Sequence, residues 1–136
     1  MKINITKIEK FAYPVLAELC KEYVKRVNRF YKADFTIENK SSYPKKGFNV
    51  LLDADGKNMK AEEFSEFLVN HMNYNSQKDL NFFIGGPYGF SDSEKESADM
   101  LWSLSKSTTT SDIGCLVCCE QIYRSVTIIQ GTKYHH

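Results

Sequence analysis

The sequence predicts one α/β domain, a mostly parallel sheet with helices on both faces. Three features carry that reading. Short apolar or alternating runs trade places with segments of helical periodicity, the βα alternation of a parallel sheet. Two runs, residues 48–52 (FNVLL) and 80–84 (LNFFI), are apolar almost throughout, as strands buried on both faces are. Three loops suited to a ligand, 53–57, 85–90 and 105–111, follow predicted strands, and open α/β sheets bind ligands at those ends.

Taken in order, residues 2–8 alternate with period two and predict a strand. Pro14 suits the first turn of a helix. Leu16, Leu19, Tyr23, Val27 and Phe30 would give that helix its apolar stripe. Lys21, Lys25, Arg26 and Arg29 give it a basic face, either a solvated surface or a ridge that touches phosphates. Residues 33–38 predict a second strand, and 39–47 (NKSSYPKKG) a polar linker. Residues 48–52 form a buried strand that ends in the turn 53–57. Residues 61–72 carry Phe64, Phe67, Leu68 and His71 at helical spacing, where a lone histidine reads as packed and not as a ligand. The strand 80–84 runs into 85–90 (GGPYGF), and Ser91 with Glu94 makes a capping box for a helix. Residues 101–105 predict a short strand and 107–111 a hydroxyl-rich loop. Ser111 or Asp112 then caps a last helix that ends near Ile129, before Gly131, leaving 132–136 as a tail.

Composition bounds the function. With 136 residues, 42% apolar and 26% charged, the chain reads as a single domain over 1–136 with no internal repeat. No run approaches the roughly 18–20 apolar residues that span a bilayer, and residues 1–10 lack the continuous apolar stretch of a signal peptide. The expectation is a soluble, cytoplasmic protein with no membrane partner. A net charge of +1 means that any nucleic-acid contact must come from a local patch, from dimerisation or from a partner. Cys115, Cys118 and Cys119 share a helix face, but no second ligand pair accompanies them, so they and Cys20 are expected to be buried core thiols with no metal. The glycine loop is neither a P-loop nor G-x-G-x-x-G, and no nucleophile elbow is present. Pattern alone stops at a domain that binds a small ligand at its strand ends.

Four motifs go further. FIGGPYGFS (83–91), WSLSK (102–106), EQIYRS (120–125) and the terminal YHH (134–136) occur in the order and near the spacing of one family. They resemble the ribosomal RNA large subunit methyltransferase H family, of SPOUT type, closely from about Phe48 onward. The resemblance implies an α/β fold with a C-terminal trefoil knot and S-adenosylmethionine as cofactor. It places the cofactor among Leu52, Gly85 and the stretch Leu104, Ser105, Lys106, Ser107, Thr108 and Thr109. It also implies a homodimer that methylates N3 of a pseudouridine in large-subunit (23S) ribosomal RNA, within the assembled ribosome. Family members carry a His near the position of Ser111 and a basic residue near Cys115, and this chain has neither. The alternative is therefore a catalytically weakened homologue that acts in RNA binding or ribosome assembly.

The expected catalytic residues are His135, Tyr134 and Arg124. An imidazole titrating near neutrality can take the N3 proton, an aromatic ring can stack on a base, and a guanidinium can hold a phosphate. Arg124 can equally pair with Glu120 at i, i+4 along the last helix.

Overall fold

The computed structural model describes residues 1–105 and 110–134. Its elements follow in the order β1 (Ile3–Ile8), α1 (Pro14–Val27), β2 (Ala33–Glu38), β3 (Phe48–Asn58), α2 (Ala61–Tyr74), β4 (Leu80–Ile84), α3 (Asp92–Ser97), β5 (Met100–Ser103) and α4 (Ser111–Gln130). The strands pair in parallel in the order β2-β1-β4-β3-β5, so the expected α/β class is the one adopted. No helix among the described residues is long and apolar enough to cross a membrane.

Strand alternation divides the side chains between two faces. Ile3 and Ile5 of β1, Val50 of β3 and Phe82 of β4 pack with Cys20 and Val24 of α1, Phe64 of α2 and Ile122 of α4. Here α4 lies between α1 and α2 and touches both. Leu51 and Phe83, one position out of phase, form a smaller cluster with Phe90. Tyr43 covers it, its ring edge-on to Phe83 at 5.3 Å and its hydroxyl donating to the Glu94 carbonyl of α3 at 3.0 Å. Residues 39–47 are thus more than the linker that their polarity suggests: they hold down the second face. Beside them three amides link neighbouring strands. Asn4 Nδ2 donates to Asn81 Oδ1 at 2.9 Å, Asn81 Nδ2 to Asn49 Oδ1 at 3.4 Å, and the three residues are cross-strand partners. A buried amide is tolerable only when bonded in this way.

The terminators in the sequence act as expected. Pro14 stands in the first turn of α1, Ser91 and Glu94 form the capping box of α3, and Gly131 closes α4 at φ +69°. His71 is buried, with Nε2 2.8 Å from the Lys78 carbonyl, a packed histidine. The four cysteines are all buried.

Three expectations need correction. The buried line of α1 is Ala17, Cys20, Val24 and Val27, while Leu19 and Phe30 face outward. Counting only large apolar residues rotated the stripe, because the small Ala17 and Cys20 are buried and Cys20 meets Cys115 of α4. The basic face is partly neutralised within the helix, Lys21 pairing with Glu18 and Arg26 with Glu22 at 3.2 Å each. Second, the cap of α4 is neither Ser111 nor Asp112 but Thr110, whose hydroxyl accepts from Ile113 N–H. Third, β3 does not stop at Leu52. Leu52 pairs with Trp102, residues 53–56 loop out, and Lys57 returns to pair with Trp102 again.

Gly56 makes that return possible. A Cβ there would stand 2.5 Å from the carbonyl carbon of Leu101, a backbone atom that cannot swing aside. Gly56→Ala is expected to lose about 1–3 kcal/mol, the usual range for overpacking. Urea unfolding measures it, and an unchanged midpoint would mean that the two backbones part freely.

Candidate active site

The carboxyl ends of β1, β3, β4 and β5 open into one cavity of about 640 Å³. Leu52, Asp53 and Ala54 enter it from the β3 excursion, Gly85 and Gly86 from the turn after β4, and Leu104 and Ser105 from the end of β5. Leu52, Gly85 and the neighbouring Leu104 and Ser105, from three separate stretches of the sequence, therefore line one cavity. Lys106, Ser107, Thr108 and Thr109 lie outside the described residues.

The walls are tied together by polar contacts. Ser111 Oγ donates to the Gly85 carbonyl at 2.7 Å, which joins the start of α4 to the glycine turn. A Cβ on Gly85 would come within 3.1 Å of Gly89 Cα, and one on Gly86 within 3.0 Å of the Glu9 carboxyl carbon. Side chains at these two positions would crowd the turn that forms the wall. Asp53 pairs with Lys95 of α3 at 2.9 Å and accepts from Asp55 N–H at 2.9 Å. Burial pushes its carboxyl up, but those two bonds outweigh it and hold the group below the usual range.

The fourth wall was not foreseen. It comes from β1 and the loop after it, through Lys7, Glu9, Lys10 and Tyr13, closed by Asp112 of α4. Lys7 and Asp112 are both buried, with 3.5 Å between Nζ and Oδ1. Nζ also donates to the carbonyls of Glu9 at 3.0 Å and Lys10 at 3.3 Å and lies 4.7 Å from the centre of the Phe11 ring. The other Asp112 oxygen accepts from Tyr13 N–H at the start of α1, at 2.9 Å. One carboxylate therefore ties the end of β1 and the start of α1 to the start of α4 at the cavity mouth. The sequence did carry a signal. Lys7 continues the inward phase of Ile3 and Ile5, and Asp112 heads the buried line Cys115, Cys119, Ile122 and Val126. Two charges of opposite sign at core positions imply a pair.

Arg124 and Tyr134, two of the expected catalytic residues, do not line the cavity. Arg124 Nη2 and Nε reach Glu120 Oε1 at 2.7 and 2.9 Å, the pairing foreseen along the helix. Tyr134 is half-buried, its ring 4.7 Å from that of Tyr123 and 5.1 Å from the Arg124 guanidinium carbon, and its hydroxyl donates to Glu120 at 3.3 Å. Burial, then a hydrogen bond with Tyr23, pushes the Tyr134 phenol up, so it stays protonated at neutral pH and cannot serve as a base. None of Glu120, Arg124 and Tyr134 lines the cavity, and Glu120 and Arg124 stand roughly 5–10 Å further along α4 than Val117, which does. His135, the expected base, lies outside the described residues.

Comparison with known proteins fits this geometry. A family model described as "Predicted SPOUT methyltransferase" matches residues 36–135. The chain belongs to the SPOUT methyltransferase family. A relative from Coprothermobacter proteolyticus named ribosomal RNA large subunit methyltransferase H is 39% identical, over 99% of each chain. One of the same name from Christiangramia forsetii is 36% identical, over 100% of this chain and 99% of its own. Among solved structures, one described as a probable methylase family protein from Haemophilus influenzae superimposes with a TM-score of 0.65 at 8% identity. It covers 98% of this chain and 70% of its own, and the likeness is one of fold. Within the SPOUT match fall β3, β4, β5 and α4, hence the cavity walls at Leu52, Gly85, Leu104 and Ser105 and the Arg124–Tyr134 cluster. Lys7, Glu9 and Tyr13, which close the fourth wall of this SPOUT chain, lie before it.

Proposed function

We propose that this chain is an S-adenosylmethionine-dependent methyltransferase that acts on N3 of a pseudouridine in large-subunit ribosomal RNA. The observation that carries the reading is the convergence of Leu52, Gly85, Leu104 and Ser105 on one cavity at the strand ends. The substrate class rests on the relatives' name, ribosomal RNA large subunit methyltransferase H. The cavity suits the cofactor. About 640 Å³ lies within the usual range for small-ligand pockets, and the glycine turn lets backbone come close. Glu9 and Asp53 bring carboxylates toward a ligand that carries a sulfonium and an ammonium. The knotted course of the chain after β5 and a cytoplasmic setting belong to the same reading.

When bound, S-adenosylmethionine supplies an activated methyl group. The chain's task is alignment of N3 with that group and removal of the N3 proton. His135 takes the proton, Tyr134 packs against the base, and the exposed part of Arg124 holds a phosphate. Arg124 and Tyr134 do not line the cavity of their own chain, which favours a homodimer in which one chain's tail cluster meets the other's cavity. Exposed apolar side chains next to the cavity point the same way: Tyr13 and Val15 of the α1 start, Ile113 and Val117 of α4. Light scattering is expected to give twice 15.7 kDa at micromolar concentration, and a stable single-chain mass would contradict the dimer.

The decisive assay is transfer of labelled methyl from S-adenosylmethionine to assembled ribosomes, with calorimetry for cofactor binding. Binding without transfer would favour the weakened homologue. That reading has one observation behind it: Cys115, at a position basic in the family, is fully buried. Ser111→Ala, which frees the Gly85 carbonyl, is expected to weaken cofactor binding about 2–10-fold, the worth of one hydrogen bond. Equal affinity would show that the turn holds its shape unaided.

A further inference from the structure

Three thiols meet where α1 packs on α4. Cys20 comes from α1, and Cys115 and Cys119 come from one face of α4, four residues apart. Their sulfurs all lie within 4.8 Å of one another, with Cys20 and Cys115 at 3.8 Å, and each residue is 0% exposed. None of the three lines the cavity. They lie behind its wall, one helical turn beyond Asp112.

We propose that Cys20, Cys115 and Cys119 form a buried three-sulfur site for a thiophilic monovalent cation, copper(I). Three sulfurs placed about 2.3 Å from a central ion stand about 4.0 Å apart. The Cys20–Cys115 spacing of 3.8 Å is close to that figure and no pair exceeds 4.8 Å, so small side-chain rotations would close the site. Thiolates select soft ions. Zinc is the poorer match, since structural zinc takes four ligands and catalytic zinc completes its set with water. Among the described residues no imidazole or carboxylate joins the trio, and full burial leaves no place for water. Copper(I) needs no fourth ligand.

The step balances without electron transfer. S–H bonds break, S–Cu bonds form, the protons pass to solvent, and no atom changes oxidation state. Cys118 is the internal control: it is equally buried on the same helix, but its sulfur is outside the trio.

The test uses the full-length reduced protein and a copper(I)–acetonitrile complex without oxygen, followed by desalting and elemental analysis. One copper per chain is expected to survive competition with a copper(I) chelator in the wild type and in Cys118→Ala, and to be lost in Cys20→Ala and Cys115→Ala. Copper(I) at a hundredfold excess over its Kd should raise Tm by about 5–10 °C in the first two proteins only. Should an alanine variant fail to fold, luminescence of a water-shielded copper(I)–thiolate centre in the wild type reads out the site by itself. Substoichiometric copper in the wild type, copper kept by Cys20→Ala, or copper lost equally from Cys118→Ala would overturn the proposal. No readout depends on methyl transfer, so the site stands or falls apart from the proposed activity.

Discussion

Asp112→Ala is expected to cost about 3–5 kcal/mol of folding stability, the penalty for leaving a buried charge unpaired. Lys7 is almost wholly enclosed, so its ammonium would keep the Glu9 and Lys10 carbonyls but lose its only described carboxylate partner. Tyr13 N–H would lose its acceptor at the same time. Lys7→Met should be equally harmful, because it strands the carboxylate instead. The informative protein is the double variant Lys7→Met with Asp112→Leu. With both charges gone and the volume kept, it should lose clearly less than the sum of the single variants, a coupling of roughly 1–3 kcal/mol. Urea unfolding of the four proteins measures this. Single variants within about 0.5 kcal/mol of wild type, the scatter of ordinary surface changes, would show that the pair is not shielded from water.

His135→Ala should lower methyl transfer to ribosomes about 10²–10³-fold, within the range for loss of a general base. The effect should lie in turnover. Melting temperature and cofactor affinity should stay near wild type, because the described cavity wall draws on residues no later than Val117 of α4. Tyr134 needs a different variant from truncation. It packs on Tyr123 and bonds Glu120, so removing residues 134–136 together would mix lost packing with lost chemistry. Tyr134→Phe keeps the ring and drops only the hydroxyl, and a loss below about tenfold is expected. Full-rate transfer by His135→Ala would send the search for the base elsewhere on the chain.

Much of this was legible in the sequence because it is local. Pro14, the Ser91–Glu94 box and Gly131 each act within a turn of themselves, and the runs 48–52 and 80–84 could hardly be anything but buried strands. The motifs brought four cavity residues to one place through family resemblance; periodicity could not have done so. What escaped was mostly nonlocal. Asp112 meets Lys7 and Tyr13 across about a hundred residues, and Tyr43 covers Phe83 from a stretch whose composition says loop. The stripe of α1 failed for a different reason: contact with α4 selects small side chains, and a count of large apolar residues passes over Ala17 and Cys20.

The strand order also bears on how the chain comes off the ribosome that makes it. β4 pairs with both β1 and β3, yet it is translated after them. Until its last residue, Ile84, leaves the exit tunnel, the nascent chain holds a β1–β2 pair and a separate β3, each with an open, apolar edge. At 5–20 residues per second that interval lasts roughly 2–6 s after Leu52 emerges. Such edges are the hazard that leads to wrong pairing between chains. Crowded polysomes or slow codons between Leu52 and Ile84 should lower the soluble yield more than the same codons placed after β5.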